Sequence, residues 1–105
     1  MMNIQNREPD VEVLFEFNGA RKNPVADGYS PSHLVKENCL TTGLHKYYEK
    51  EFVESNGTAK GTITFIIPEE HPGCLWVGKE IPFFEGERKT GKAIILKIYN
   101  KILEK

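Results

Sequence analysis

Three histidines, His33, His45 and His71, two cysteines, Cys39 and Cys74, and fifteen Asp or Glu residues are the groups able to ligate a metal, move a proton or attack a carbonyl. Their spacing points away from such chemistry. Structural zinc sites draw paired ligands from tight turns, and the chain has no Cys-x-x-Cys, His-Glu-x-x-His or His-x-His. Cys39 follows His33 closely and Cys74 follows His71, as nucleophile and base could, but no third residue is placed to orient either imidazole. Read as turn histidines and small apolar thiols, these residues imply no active site. Glu69-Glu70 beside His71 reads as a polar turn. A Gly-rich loop followed by Lys-Ser or Lys-Thr is missing, so no nucleotide phosphate is cradled in the P-loop manner. Glu85-Gly86-Glu87-Arg88-Lys89-Thr90-Gly91 lies between apolar strand-like runs and predicts a tight hairpin, with Arg88 and Lys89 at its tip able to grip an anion.

The chain that must position these groups has 105 residues, 39% apolar and 28% charged, with a formal net charge of -1. One modest core is feasible at this length and two are not, so a catalytic domain joined to a regulatory one is excluded. The apolar and aromatic content is too high for a disordered chain, and composition excludes collagen-like and coiled-coil classes. Apolar runs such as Phe65-Ile66-Ile67 and Ala93-Ile94-Ile95-Leu96 are far shorter than the ~20 residues of a membrane span. Met1 to Arg7 lacks the apolar stretch of a secretory signal, which makes a cytoplasmic location with reduced thiols the expectation. Charge is uneven. Residues 1 to 78 carry seven Lys or Arg against eleven Asp or Glu, whereas residues 79 to 105 carry seven against four. A basic segment of that kind suits phosphates, although the overall balance argues against binding by electrostatics alone.

Along the chain, residues 1 to 9 read as a loose lead-in ending at Pro9. Val11, Val13, Phe15 and Phe17 then alternate with Glu12, Leu14 and Glu16, the period of two that puts one face of a strand on a core. Asn18-Gly19, Pro24 and Asp27-Gly28 mark a loop. His33, Leu34 and Val35 make a short strand signal. Leu44, Tyr48 and Phe52 recur at helical spacing, but Gly43 and Ser55-Asn56-Gly57 bracket the segment as turns bracket hairpin strands, which favours extended structure. Residues 61 to 67 are rich in β-branched side chains and stop at Pro68, predicting another strand. After the turn at His71-Pro72-Gly73 come short apolar pieces at Leu75-Trp76-Val77 and Ile81-Pro82-Phe83-Phe84. Residues 91 to 99 predict the last strand, with Ile94, Leu96 and Ile98 on one face and Ala93, Ile95, Lys97 and Tyr99 on the other. Residues 100 to 105 read as a fraying tail.

Trp76, Tyr47-Tyr48 and Phe83-Phe84 are large enough that most must fill the core. In each pair one ring faces outward if the segment is a strand, and an exposed ring beside Lys46 or Lys50 could anchor a partner. Six or seven short strands, Gly and Pro punctuation and no long helix describe a single all-β domain over residues 10 to 99, a small closed barrel that leaves no free sheet edge.

In sequence order, Gly28-Tyr29-Ser30-Pro31-Ser32, Thr41-Thr42-Gly43, Gly61-Thr62-Ile63, His71-Pro72-Gly73-Cys74 and Phe84 to Gly91 resemble the motifs of the C-terminal β-barrel domain of elongation factor Tu and related translational GTPases. The resemblance runs from residue 11 to residue 99. It implies a six-stranded barrel with Greek-key-type connections and no catalytic chemistry of its own. In that family the domain helps bind the acceptor and T-stem side of aminoacyl-tRNA, and an exchange factor also touches it. Carried over residue by residue, only Thr41, Thr42, Arg88 and Gly91 match; with Tyr29 of the first motif and Lys89 of the hairpin tip they make the expected macromolecule-binding set. Departures are plain: Ser30 and Ser32 replace the family's Arg and Gln, Cys74 stands where Asp follows Pro-Gly, and residues 44 to 56 look like an insertion.

The expected function is that of a non-enzymatic barrel, without cofactor, metal or nucleotide and away from any membrane, that binds tRNA or a protein of the translation machinery through loop 28 to 43 and hairpin 85 to 91. An alternative is a protein-interaction module, an inhibitor or immunity-type partner of a toxin or other protein. It is motivated by the acidic first two thirds and the Tyr47-Tyr48 segment. A small hydrolase using Cys, His or a metal is the third reading.

Overall fold

A computed structural model describes residues 4 to 105; the first three residues of the lead-in lie outside the described residues. Six strands form: β1 (Val11–Phe17), β2 (Ser32–Lys36), β3 (Cys39–Tyr47), β4 (Thr58–Phe65), β5 (Glu80–Glu85) and β6 (Arg88–Ile98). They close in the order β1-β4-β3-β2-β5-β6, every neighbouring pair antiparallel. The run β2-β3-β4 with β1 returning beside β4 is a Greek key. The all-β closed barrel read from the sequence is thus the observed fold. No helix among the described residues is long and apolar enough to cross a membrane.

Strand β1 alternates as its sequence predicts: Val11, Val13, Phe15 and Phe17 are buried, while Glu12, Leu14 and Glu16 face outward. Residues 44 to 47 are extended, as the bracketing turns suggest, and the chain then leaves the sheet after Tyr47. On β6 the predicted faces are corrected. Val11 pairs with Ile98 and Glu12 with Lys97, but Val13 pairs with Ile95, so Leu96 is an extra, bulged residue. The bulge reverses the parity of the strand, and Ala93, Ile95 and Ile98 all point inward. Segment 28 to 43 is not a loop: only 28 to 31 is irregular, and the rest is the β2-β3 hairpin, with Asn38 in the left-handed region at its turn. Thr41, Thr42 and Gly43 accordingly sit inside β3 and not in a turn.

Trp76 is also corrected. The piece 75 to 77 forms no strand; Leu75 enters the core, and Trp76 turns outward, 44% exposed, with the ammonium groups of Lys79 and Lys105 at 4.5 and 5.2 Å from its ring centre. The predicted fraying tail is fastened down. Leu103 is buried, Gly73 N–H donates to Ile102 and Leu75 N–H to Leu103, and Lys105 N–H donates back to Leu75, which plugs the space beneath Leu75.

His33 and His45 are not turn histidines. Both are fully buried on β2 and β3, among Phe15, Phe65 and Phe83, with their Nε2 atoms 2.7 Å apart. Gly43 makes the room, since a Cβ there would lie 2.6 Å from Ile63 and 2.9 Å from the His33 ring. The proton positions follow from the partners. The Thr41 carbonyl, 3.4 Å from His33 Nδ1, can only accept, so His33 carries its proton on Nδ1 and its Nε2 accepts from His45 Nε2. His45 Nδ1 then accepts from the Tyr47 hydroxyl at 2.9 Å. The chain Tyr47 to His45 to His33 to Thr41 satisfies each buried polar atom with both rings neutral. Burial pushes His33 down to about 4 and His45 well below its ordinary value, the latter further because a charged His33 would repel it.

Candidate functional site

At the end of the barrel where β1 stops and β5 turns into β6, two loops meet. The loop after β1 is held to the β6 end by its first residue: the Asn18 side-chain amide donates to the Lys89 carbonyl at 2.9 Å and its backbone N–H to Thr90 at 3.0 Å. Residues 28 and 29 are held to β3 by Gly28 N–H to His45 and His45 N–H to Tyr29. The hairpin turns at Gly86, whose φ of +61° suits glycine. Thr90 is a second bulged residue, lying between the pairs Phe84–Lys89 and Phe83–Gly91, and its side chain is driven inward.

Glu85 is the centre of this junction. Its Oε2 accepts from the Tyr29 hydroxyl at 2.6 Å and from Arg21, and its Oε1 accepts from Arg88 at 3.2 Å. Because the single Tyr29 proton goes to the carboxylate, the Thr90 hydroxyl donates to the Tyr29 oxygen at 2.9 Å. The Arg21 guanidinium also lies 5.0 Å from the centre of the Tyr29 ring. Partial burial opposes the charge on Glu85, but the bonds from Tyr29 and Arg21 outweigh it and hold the carboxyl below its usual range. Burial, reinforced by that carboxylate, pushes the Tyr29 phenol up to about 12. The phenol therefore remains a hydrogen-bond donor at neutral pH.

The residues implied by the sequence divide. Tyr29 is in the junction, Arg88 reaches it from an exposed position, and Lys89 is exposed with its carbonyl engaged. Gly91 is packing: a Cβ there would stand 2.5 Å from the Glu16 carbonyl oxygen and 2.6 Å from the Phe83 ring. Thr41 lines the barrel wall opposite His33, and Thr42 pairs with Ser32; among the described residues no side-chain hydrogen bond joins either threonine to the junction. Sequence reasoning missed Arg21 and Asn18, which lie in an aperiodic loop, and missed that Glu85 organises the hairpin. Loops 18 to 23 and 85 to 90 together present four cations, Arg21, Lys22, Arg88 and Lys89, against the carboxylates of Glu85 and Glu87. On the other flank of the hairpin, Leu34, Leu40 and Phe84 line an open groove of about 640 Å³, with Leu40 56% exposed.

Among the described residues no group of three His, Cys, Asp or Glu side chains is placed to hold a metal. Neither free cysteine hydrogen-bonds to an imidazole, and burial pushes the Cys74 thiol up, away from the thiolate a nucleophile needs. The fold class is a closed, six-stranded, antiparallel Greek-key barrel whose interior is filled by side chains. In comparisons with known proteins, the chain matches no family model and no curated protein sequence.

Proposed function

We propose that this chain is a non-enzymatic, elongation-factor-Tu-like barrel that binds a translation component, foremost a tRNA-type RNA, through the rim formed by residues 18 to 29 and 85 to 91. The observation that carries the reading is the Tyr29–Glu85 bond. It joins the Gly28-Tyr29 turn to the Phe84-to-Gly91 hairpin, two of the segments on which the resemblance rests, into one surface. Glu85 neutralises part of Arg21 and Arg88, while Lys22 and Lys89 extend into solvent as phosphate contacts. Titration of tRNA at low and at moderate salt tests it. Binding should weaken with salt and weaken again in Arg88→Ala and Lys89→Ala, each cation contributing about 0.9 to the slope of log K against log salt on duplex. Absence of binding at both salt concentrations, or unchanged behaviour of both variants, removes the RNA reading.

A second reading, a protein-interaction module of inhibitor or immunity type, is favoured by the groove of Leu34, Leu40 and Phe84 on the same hairpin, since exposed apolar side chains flanked by charge are what protein partners cover. Leu40→Asp would abolish capture of such a partner and leave tRNA binding unchanged.

A further inference from the structure

The outer face of β1, β3, β4 and β6 carries a second constellation, toward the opposite end of β1 from the rim. Glu12 faces outward, opposite Thr62 of β4 and Lys97 of β6. Its Oε2 accepts from two phenols at once, Tyr48 at 3.0 Å and Tyr99 at 3.3 Å. The phenol oxygens therefore lie no farther apart than those two bonds end to end. One carboxylate thus fixes both rings, which remain 42% and 41% exposed. The bulge at Leu96 makes this possible, because it turns Lys97 outward beside Glu12 and delivers Tyr99 to the same face.

Cations surround the pair. Lys46 lies opposite Thr62, Lys60 lies opposite Leu14 and gives its carbonyl to the Tyr48 N–H, and the Lys97 ammonium stands 5.5 Å from the centre of the Tyr99 ring. All three lysines are exposed, and among the described residues none of them has an ion-pair partner. Three ammonium groups without an ion-pair partner thus frame two aromatic rings held by Glu12, with Glu49 the second carboxylate beside Tyr48 and Lys60.

We infer that this face binds a single-stranded nucleic acid segment, with unpaired bases stacking on Tyr48 and Tyr99 and the backbone phosphates lying against Lys46, Lys60 and Lys97. The match is one of chemistry. Aromatic rings on a sheet with interleaved cations hold single strands with little regard to sequence, because every base has a stacking face. A duplex keeps its base faces covered and would use only the lysines. An acidic peptide would likewise use the cations and leave the rings idle. The inference goes beyond the rim reading and does not rest on it.

The test is fluorescence anisotropy of a short labelled oligouridylate with the full chain. Tyr48→Ala and Tyr99→Ala should each weaken binding roughly ten-fold, while Tyr48→Phe, which retains the stacking ring but not its bond to Glu12, should lose clearly less than Tyr48→Ala. Lys60→Ala should lower the slope of log K against log salt by about 0.7. Lys36→Ala, an exposed cation on β2 across the barrel from this face, should leave the oligonucleotide affinity unchanged. Thermal melting of every variant close to the parent assigns the losses to the face and not to unfolding. No binding at low salt, equal affinity of the parent and the Tyr48→Ala/Tyr99→Ala double variant, or loss through Lys36→Ala alone overturns the inference. Displacement of the oligonucleotide by polyglutamate as readily as by unlabelled oligouridylate also overturns it, in favour of an acidic protein.

Discussion

The two ends of the barrel are each organised by one carboxylate with an arginine beside it, and they do opposite things. At the start of β1, Asp10 is 1% exposed; it accepts from the Phe65 N–H at 2.7 Å, from Asn100 at 2.9 Å and from Arg7 at 3.2 Å. Its own carbonyl takes the N–H groups of Tyr99 and Asn100. Two of those side-chain acceptances tie it to β4 and to the segment after β6, so Asp10 staples the strands that close the sheet. Beyond the end of β1, Glu85 sits on a hairpin. Its partners are side chains from loops and a strand end, and Arg88 beside it stays exposed. A charge surrounded by fixed donors in a dry site is structural, whereas the same charge in partial contact with water, sharing mobile cations, leaves some of them available to a ligand.

Replacement of the carboxylates should break this contrast most sharply. Asp10→Ala leaves the Phe65 N–H and the Asn100 amide without this acceptor and Arg7 with only the Phe65 carbonyl, and should cost about 3 kcal/mol in denaturant unfolding. Between the two ends, the neutral imidazole pair sharpens the comparison through pH. The unfolded chain protonates His33 below its ordinary 6.5, while the folded barrel resists protonation down to about 4. Within that window the unfolded state binds more protons, so stability falls as the pH is lowered from 6.5 toward 4; beneath it the His33 contribution levels off while that of His45, pushed further down, continues to be lost. His33 alone accounts for roughly 3 kcal/mol of this loss. The double variant His33→Leu/His45→Leu should flatten the dependence when unfolding is followed across the range. Smallest are the effects at the rim. Tyr29→Phe should cost about 1 kcal/mol, since Glu85 and Thr90 each lose one partner but Glu85 retains Arg21 and access to water. Arg88→Ala, on a side chain 58% exposed, should change stability by no more than about 0.5 kcal/mol. A rim as costly to disturb as Asp10 would show that both ends are structural.

The hairpin that carries Arg88 and Lys89 forms where the sequence put it, and Tyr29 meets it through Glu85. Thr41 and Thr42 were misplaced because a Thr-Thr-Gly string has turn chemistry locally, whereas here the glycine is required by the bulk of His33 across the pair. Arg21 and Asn18 were invisible because an aperiodic loop says nothing about which distant atoms its side chains reach. That one ring of Tyr47-Tyr48 faces outward was legible, but not which, nor its convergence with Tyr99 on Glu12, since these residues are brought together from distant parts of the chain.

What this amino-acid string determined on its own is the all-β class and the strands β1, β4 and β6: alternation along residues 11 to 17 and β-branched runs bounded by Gly and Pro are local patterns, and local sterics and solvent transfer suffice to read them. Only closure of the barrel decided that two histidines go inside and stay neutral, that Leu96 and Thr90 bulge, and that the last residues plug the base. Those outcomes depend on how much volume remains when six strands meet and on which buried polar atoms find partners. Both are sums over residues far apart in the chain, which no single segment contains.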